Sequence, residues 1–95
     1  MTPVRITVEI SLYPLQENFV RGIREFILRL REEDGLEIVS NQLSTQVRGD
    51  YEVVTDALNR CMRETMEADG TVVFVMKYLN ADLDIASPPK IERDT

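Results

Sequence analysis

The residues of this 95-residue chain that could do chemistry are polar side chains set into strand-like stretches. Glu9, Ser11 and Tyr13 follow one another at two-residue steps. Ser44, Thr45 and Gln46 stand in a row, and Lys77 breaks an otherwise apolar run from Val73 to Tyr78. Together they offer hydrogen-bond donors and acceptors, a carboxylate, an ammonium and a phenol. Such a set suits a small polar ligand, a subunit contact or plain solvent, and the residues alone leave all three open. Catalysis is poorly provided for, because the sequence has no histidine. That removes Ser-His and Cys-His nucleophile pairs, His-bearing zinc sites and the usual general base near neutral pH. No enzymatic activity and no cofactor are expected.

Other groups read more simply. Lys77 and Glu9 make either a cross-strand ion pair worth about 0.2–1 kcal/mol or a ligand contact in which Lys77 tunes Glu9. Cys61 falls on an apolar helical stripe and reads as a small core residue. Glu32-Glu33-Asp34 lacks the alternating ligands and glycine turn of a calcium loop, so it reads as a solvated helix end. Asp82 and Asp84 fall in a segment expected to be disordered.

These residues have to be positioned by a small fold. A chain of this length forms one domain with one modest core. Its hydrophobic fraction of 43% is ordinary for a globular protein. The longest apolar run is far short of the roughly 20 residues that span a bilayer. No signal-peptide pattern opens the chain, and a single cysteine fits a reducing compartment, so a cytoplasmic location is expected. Seventeen acidic and 11 basic side chains give a net charge of −6. Nucleic acid and anionic membrane should be repelled, and no evident phosphate cradle is offered.

Residues 4–12 alternate apolar and polar and predict a strand, with Ile6, Val8, Ile10 and Leu12 on one face and Thr7, Glu9, Ser11 and Tyr13 on the other. Pro14 ends it. From about 17 to 32, Phe19, Val20, Ile23, Phe26, Ile27 and Leu30 recur at helical steps, and Asp34-Gly35 stops the helix. Residues 36–39 and 43–48 predict a hairpin turned at Ser40-Asn41-Gln42. Asp50 can cap a second helix, with Val54, Ala57, Leu58, Cys61, Thr65 and Met66 on its inner face and Asp69-Gly70 at its end. Residues 71–79 predict a last strand, apolar on both faces and so expected to be covered on both. The order strand, helix, strand, strand, helix, strand gives a ferredoxin-like α+β sandwich. Its four-stranded antiparallel sheet carries both helices on one face. Residues 1–80 form the domain and 81–95, with Pro88-Pro89 and a charged end, a mobile tail.

Several occupants of this fold are excluded. The third strand lacks the aromatic and basic residues of an RNA-recognition sheet. There is no Cys-x-x-Cys metal-chaperone loop, and Pro14-Leu15-Gln16-Glu17 is no glycine-rich phosphate loop. If Leu43, Thr45 and Val47 face the helices, then Ser44 and Gln46 share the face of Ser11 and Thr45 does not.

Three motifs carry a family resemblance. They are Ile10-Ser11-Leu12-Tyr13-Pro14-Leu15, the stretch from Asn41 through Ser44-Thr45-Gln46-Val47 to Gly49, and Val73-Phe74-Val75-Met76-Lys77. Over about residues 4–80 the chain resembles the thiamin-binding (YkoF-like) family of small ferredoxin-like proteins. The resemblance implies non-catalytic binding of thiamin or its hydroxymethylpyrimidine part in vitamin uptake or salvage. It also implies assembly through sheet faces or edges. Some relatives carry two copies of the domain, so a homodimer or homotetramer is expected here. On this reading Ser11, Asn41, Ser44, Thr45 and Gln46 read the pyrimidine edge, Tyr13 or Tyr78 stacks on a ring, and Glu9, with Lys77 beside it, faces the amino group or the thiazolium. The alternative is a structural or regulatory interaction module that uses the open sheet face.

Overall fold

The computed structural model describes residues 3–68 and 70–92. Asp69, half of the second helix stop, and residues 93–95 of the tail lie outside the described residues. The elements are β1 (Arg5–Pro14), α1 (Phe19–Arg31), β2 (Glu37–Ser40), β3 (Thr45–Asp50), α2 (Tyr51–Ala68) and β4 (Val72–Leu79). The strands form one sheet in the order β2-β3-β1-β4, with every neighbouring pair antiparallel. Both helices pack on one face, which is the ferredoxin-like arrangement expected from the sequence.

Alternation along β1 decides what is buried. Ile6, Val8, Ile10 and Leu12 face the helices and meet Phe26, Leu30, Val47, Val54, Leu58 and Cys61 in a continuous core. Burying each large aliphatic side chain there stabilises the fold by about 1.5–3 kcal/mol. Phe26 of α1 meets Phe74 of β4 with ring centroids 5.4 Å apart. α1 closes with Glu32 and Glu33 N–H groups donating to the carbonyls of Arg29 and Leu30, and Gly35 then turns at φ +79°. A Cβ on Gly49 would stand 3.0 Å from the Gly35 carbonyl oxygen, so glycine at 49 lets that turn lie directly on β3.

Three expectations need correction. Phe19 and Val20 of α1 and Met66 of α2 are largely exposed, because each sits at the margin of its helix's buried stripe. β4 is covered on one face only. Val72, Phe74 and Met76 pack toward the helices, whereas Val73 and Val75 are 42% and 50% exposed. The cause is topological, since β4 is an edge strand and no second layer lies over the open face there.

The segment after β4 also starts with firm contacts. Thr7 Oγ1 donates to the Ala81 carbonyl at 2.8 Å and accepts from the Leu83 N–H at 3.1 Å. Arg48 Nη1 donates to the Leu83 carbonyl at 2.6 Å. Asp82, expected to be disordered, pairs with Arg5 at 3.4 Å and Arg48 at 3.5 Å. Residues 81–83 therefore strap one end of the open face and bury Thr7.

Candidate functional site

At the other end of β1 a cleft of about 440 Å³ opens between the first turns of α1 and the β2–β3 turn. The residues after the break at Pro14 make one wall. Ile10, Leu12 and Phe26 make the floor, and Ile23 and Ile27 flank it. Polar groups enter from two directions: Ser11 and Tyr13 from β1, and Asn41, Gln42, Ser44 and Thr45 from the hairpin. No charged side chain lines it. An apolar hollow with a few convergent polar groups is the usual make-up of a small-molecule site.

The hairpin builds its share of the cleft through Asn41. Asn41 Oδ1 accepts from the N–H groups of Leu43 at 2.9 Å and Ser44 at 3.1 Å, and the Asn41 N–H donates to the Ser44 carbonyl at 3.0 Å. The side chain thus replaces water for the turn's backbone, as Asn commonly does. Its NH2 is the group left to meet a ligand. The Ser11 hydroxyl lies 3.5 Å from the Leu43 carbonyl, too long for a strong hydrogen bond and so easily surrendered to a better partner. Thr45 shares the helix-facing side with Ile10 and Val47, and its hydroxyl pairs with that of Ser40 at 2.8 Å. It is 4% exposed and reaches the cleft from below.

Glu9, Gln46 and Lys77 lie on the open face, which they share with Ser11 and Tyr13, but outside the lining of the cleft. Glu9 is opposite Gln46 on one side and Lys77 on the other. Its two oxygens divide their work: Oε2 accepts from Ser44 Oγ at 3.0 Å, and Oε1 lies 3.4 Å from Lys77 Nζ. Glu9 therefore acts on the cleft only through Ser44. Tyr78 is not part of the cleft. It lies opposite Val8, and its phenol is near Thr55 and Tyr51 of α2. Burial raises the pKa of its phenol, and the neighbouring Thr55 hydroxyl works against that rise.

Of the nine residues singled out by sequence, the structure brings Ser11, Tyr13, Asn41, Ser44 and Thr45 to the cleft and leaves the other four outside it. Sequence reasoning missed the apolar half, including Leu15, Phe19, Ile23, Ile27 and Leu43. The available signal was Leu43, an apolar residue in a turn that the structure leaves 89% exposed.

Residues 5–90 match the YKOF-related family. No curated protein matches the chain. Among the solved structures that share its fold are three from different organisms. A protein from Streptococcus pneumoniae is 15% identical with a TM-score of 0.73, over 87% of this chain and 91% of that one. A candidate thiamine biosynthesis/salvage protein from Thermotoga maritima is 18% identical with a TM-score of 0.71, over 90% of this chain and 89% of that one. A hypothetical protein from Methanocaldococcus jannascii is 18% identical with a TM-score of 0.68, over 96% of this chain and 87% of that one. Among the described residues, no helix is long and apolar enough to cross a membrane.

Proposed function

The chain belongs to the YkoF-related family, and on that premise we propose that it binds thiamin or its hydroxymethylpyrimidine part in the cleft without transforming it. The binding would serve vitamin uptake or salvage in the cytoplasm. The observation that carries this reading is the convergence of Ser11, Tyr13, Asn41, Ser44 and Thr45 on one uncharged, largely apolar hollow. An aminopyrimidine is a flat ring with a donor–acceptor edge. Apolar walls accept its faces, and the hydroxyls and the Asn41 amide match its edge. Glu9, held behind Ser44, supplies negative charge for the thiazolium. A cleft lined by no carboxylate, amine or imidazole has little with which to move protons, so binding rather than turnover fits it best.

The same reading includes self-association. Tyr13 lies opposite Val73, and Ser11 opposite Val75, so the exposed Tyr13, Val73 and Val75 side chains form one strip at the β4 edge. A homodimer or homotetramer would cover that strip. The strip equally favours the second reading, an interaction module that binds another protein through the open face.

Calorimetric titration with thiamin and with hydroxymethylpyrimidine tests the proposal. The unaltered chain should bind one or both, and the double variant S11A/T45V should lose at least tenfold in affinity. Unchanged affinity in a variant whose circular dichroism is native would sink the site assignment. Silence toward both ligands would favour the interaction module.

A further inference from the structure

The eight arginines among the described residues are not used alike. Six of them (Arg5, Arg21, Arg29, Arg48, Arg60 and Arg63) have a carboxylate partner at 2.8–3.7 Å. Arg24 and Arg31 have no such partner among the described residues. In a chain with net charge −6, two arginines without a carboxylate are unexpected. They lie seven residues apart on α1, close to two full turns, so their side chains share one face.

That face opens on a second hollow. Arg24, Arg31 and Leu28 line a groove of about 390 Å³ that Ser40 of β2 closes on the other side. Ile23 and Ile27 line both this groove and the cleft. The Ser40–Thr45 hydroxyl pair, 2.8 Å apart, spans the boundary, with Ser40 in the groove and Thr45 in the cleft. The two hollows thus adjoin along Ile23 and Ile27 as a trough, uncharged at the end of β1 and cationic on the side of Arg24 and Arg31. The guanidinium fork matches phosphate oxygens in pairs, a geometry that a point charge such as lysine lacks. The Cα atoms of Arg24 and Arg31 are about 10.5 Å apart along the helix axis. Two such long side chains can converge on one group placed over Leu28 between them.

We infer that the trough takes a phosphate ester of the ring that enters the cleft, with the heterocycle in the cleft and the phosphoryl group between Arg24 and Arg31. The inference rests on the cleft reading and adds to it the charged end of the ligand. It also supplies a phosphate cradle against the sign of the net charge.

Titration calorimetry with two pairs of probes tests it: hydroxymethylpyrimidine against its phosphate, and thiamin against thiamin monophosphate. In at least one pair the ester should bind at least tenfold more tightly than its parent alcohol, and raising the salt concentration should shrink that advantage. In R24Q/R31Q the ratio of ester to parent affinity should fall to within twofold of unity. If the parents bind and the esters bind no better, the inference is overturned and the cleft reading stands. An ester preference that survives in R24Q/R31Q also overturns it, because the phosphoryl group then sits elsewhere. If none of the four compounds binds, both readings fall together.

Discussion

α1 and α2 cover the same face of the same sheet to different depths. Under α2, Val54, Ala57, Leu58 and Thr65 are wholly out of water and Cys61 is 2% exposed. Under α1, only Gly22, Phe26 and Leu30 are buried, while Ile23 and Ile27 are half-buried and Phe19 and Val20 are exposed. The 18 residues of α2 keep one apolar stripe against β1 and β3 for most of their length. The 13 residues of α1 have a comparable stripe, but its first turns face the stretch of β1 beyond Ile10, where pairing with β3 has ended. The open space left there is the cleft. One helix spends its apolar residues on stability, and the other leaves part of them facing a hollow that a ligand can fill.

The largest expected effect comes from testing that division directly. L58A removes a fully buried side chain under α2 and should destabilise the chain by about 2–5 kcal/mol. F19A, at the lip of the cleft, should cost less than about 1 kcal/mol. Urea denaturation of the two variants measures the difference, and equal losses would erase the distinction between the helices.

A smaller effect concerns Cys61, buried under α2. Burial pushes its thiol up to about 11, with the carboxylates of Glu33 and Glu64 adding to the rise. The folded chain therefore keeps the proton where the unfolded chain, with an ordinary thiol near 9, has released it. The linked stability is fully present below pH 9 and is lost as pH rises toward about 11. Comparing the unaltered chain with C61A by thermal unfolding across that window should reveal the loss in the former only. In the folded state the thiol should also react slowly with alkylating reagents at neutral pH.

The smallest effect belongs to the open face. The Lys77 side chain is 80% exposed and that of Glu9 42%, so their pair is well screened. K77M should change stability by no more than about 0.5 kcal/mol, and moderate salt should remove the difference. A larger, salt-resistant loss in denaturation would mean that the Ser44–Glu9–Lys77 chain of contacts holds the hairpin, and with it the cleft wall.

Much of this architecture is legible in the residues. The alternation in β1 sorts core from open face without error, and Gly35 takes the left-handed turn that ends α1. The same alternation rule places Thr45 beneath the hairpin and Ser44 and Gln46 on the side of Ser11, as the strand pairing does. What stays hidden depends on tertiary placement. An apolar residue on β4 looks the same whether a layer covers it or it faces open solvent, so Val73 and Val75 were expected to be buried. Asp82 finds Arg5 and Arg48 only because pairing of β1 with β3 brings those two arginines together. The apolar half of the cleft arises where α1 runs beside the part of β1 that β3 leaves unpaired, which no local pattern records. The ring chemistry of Tyr78 suits a ligand, whereas strand alternation puts it on the face of Val8, away from Ser11.

The most direct test of the account is a backbone amide NMR titration of the chain with thiamin. The account predicts shift changes at residues 11–15, 19–27 and 41–45, with α2 from Val54 to Thr65 unmoved. Changes confined to α2, or to the strapped end around Thr7 and Arg48, would contradict it, as would a spectrum that does not respond at all.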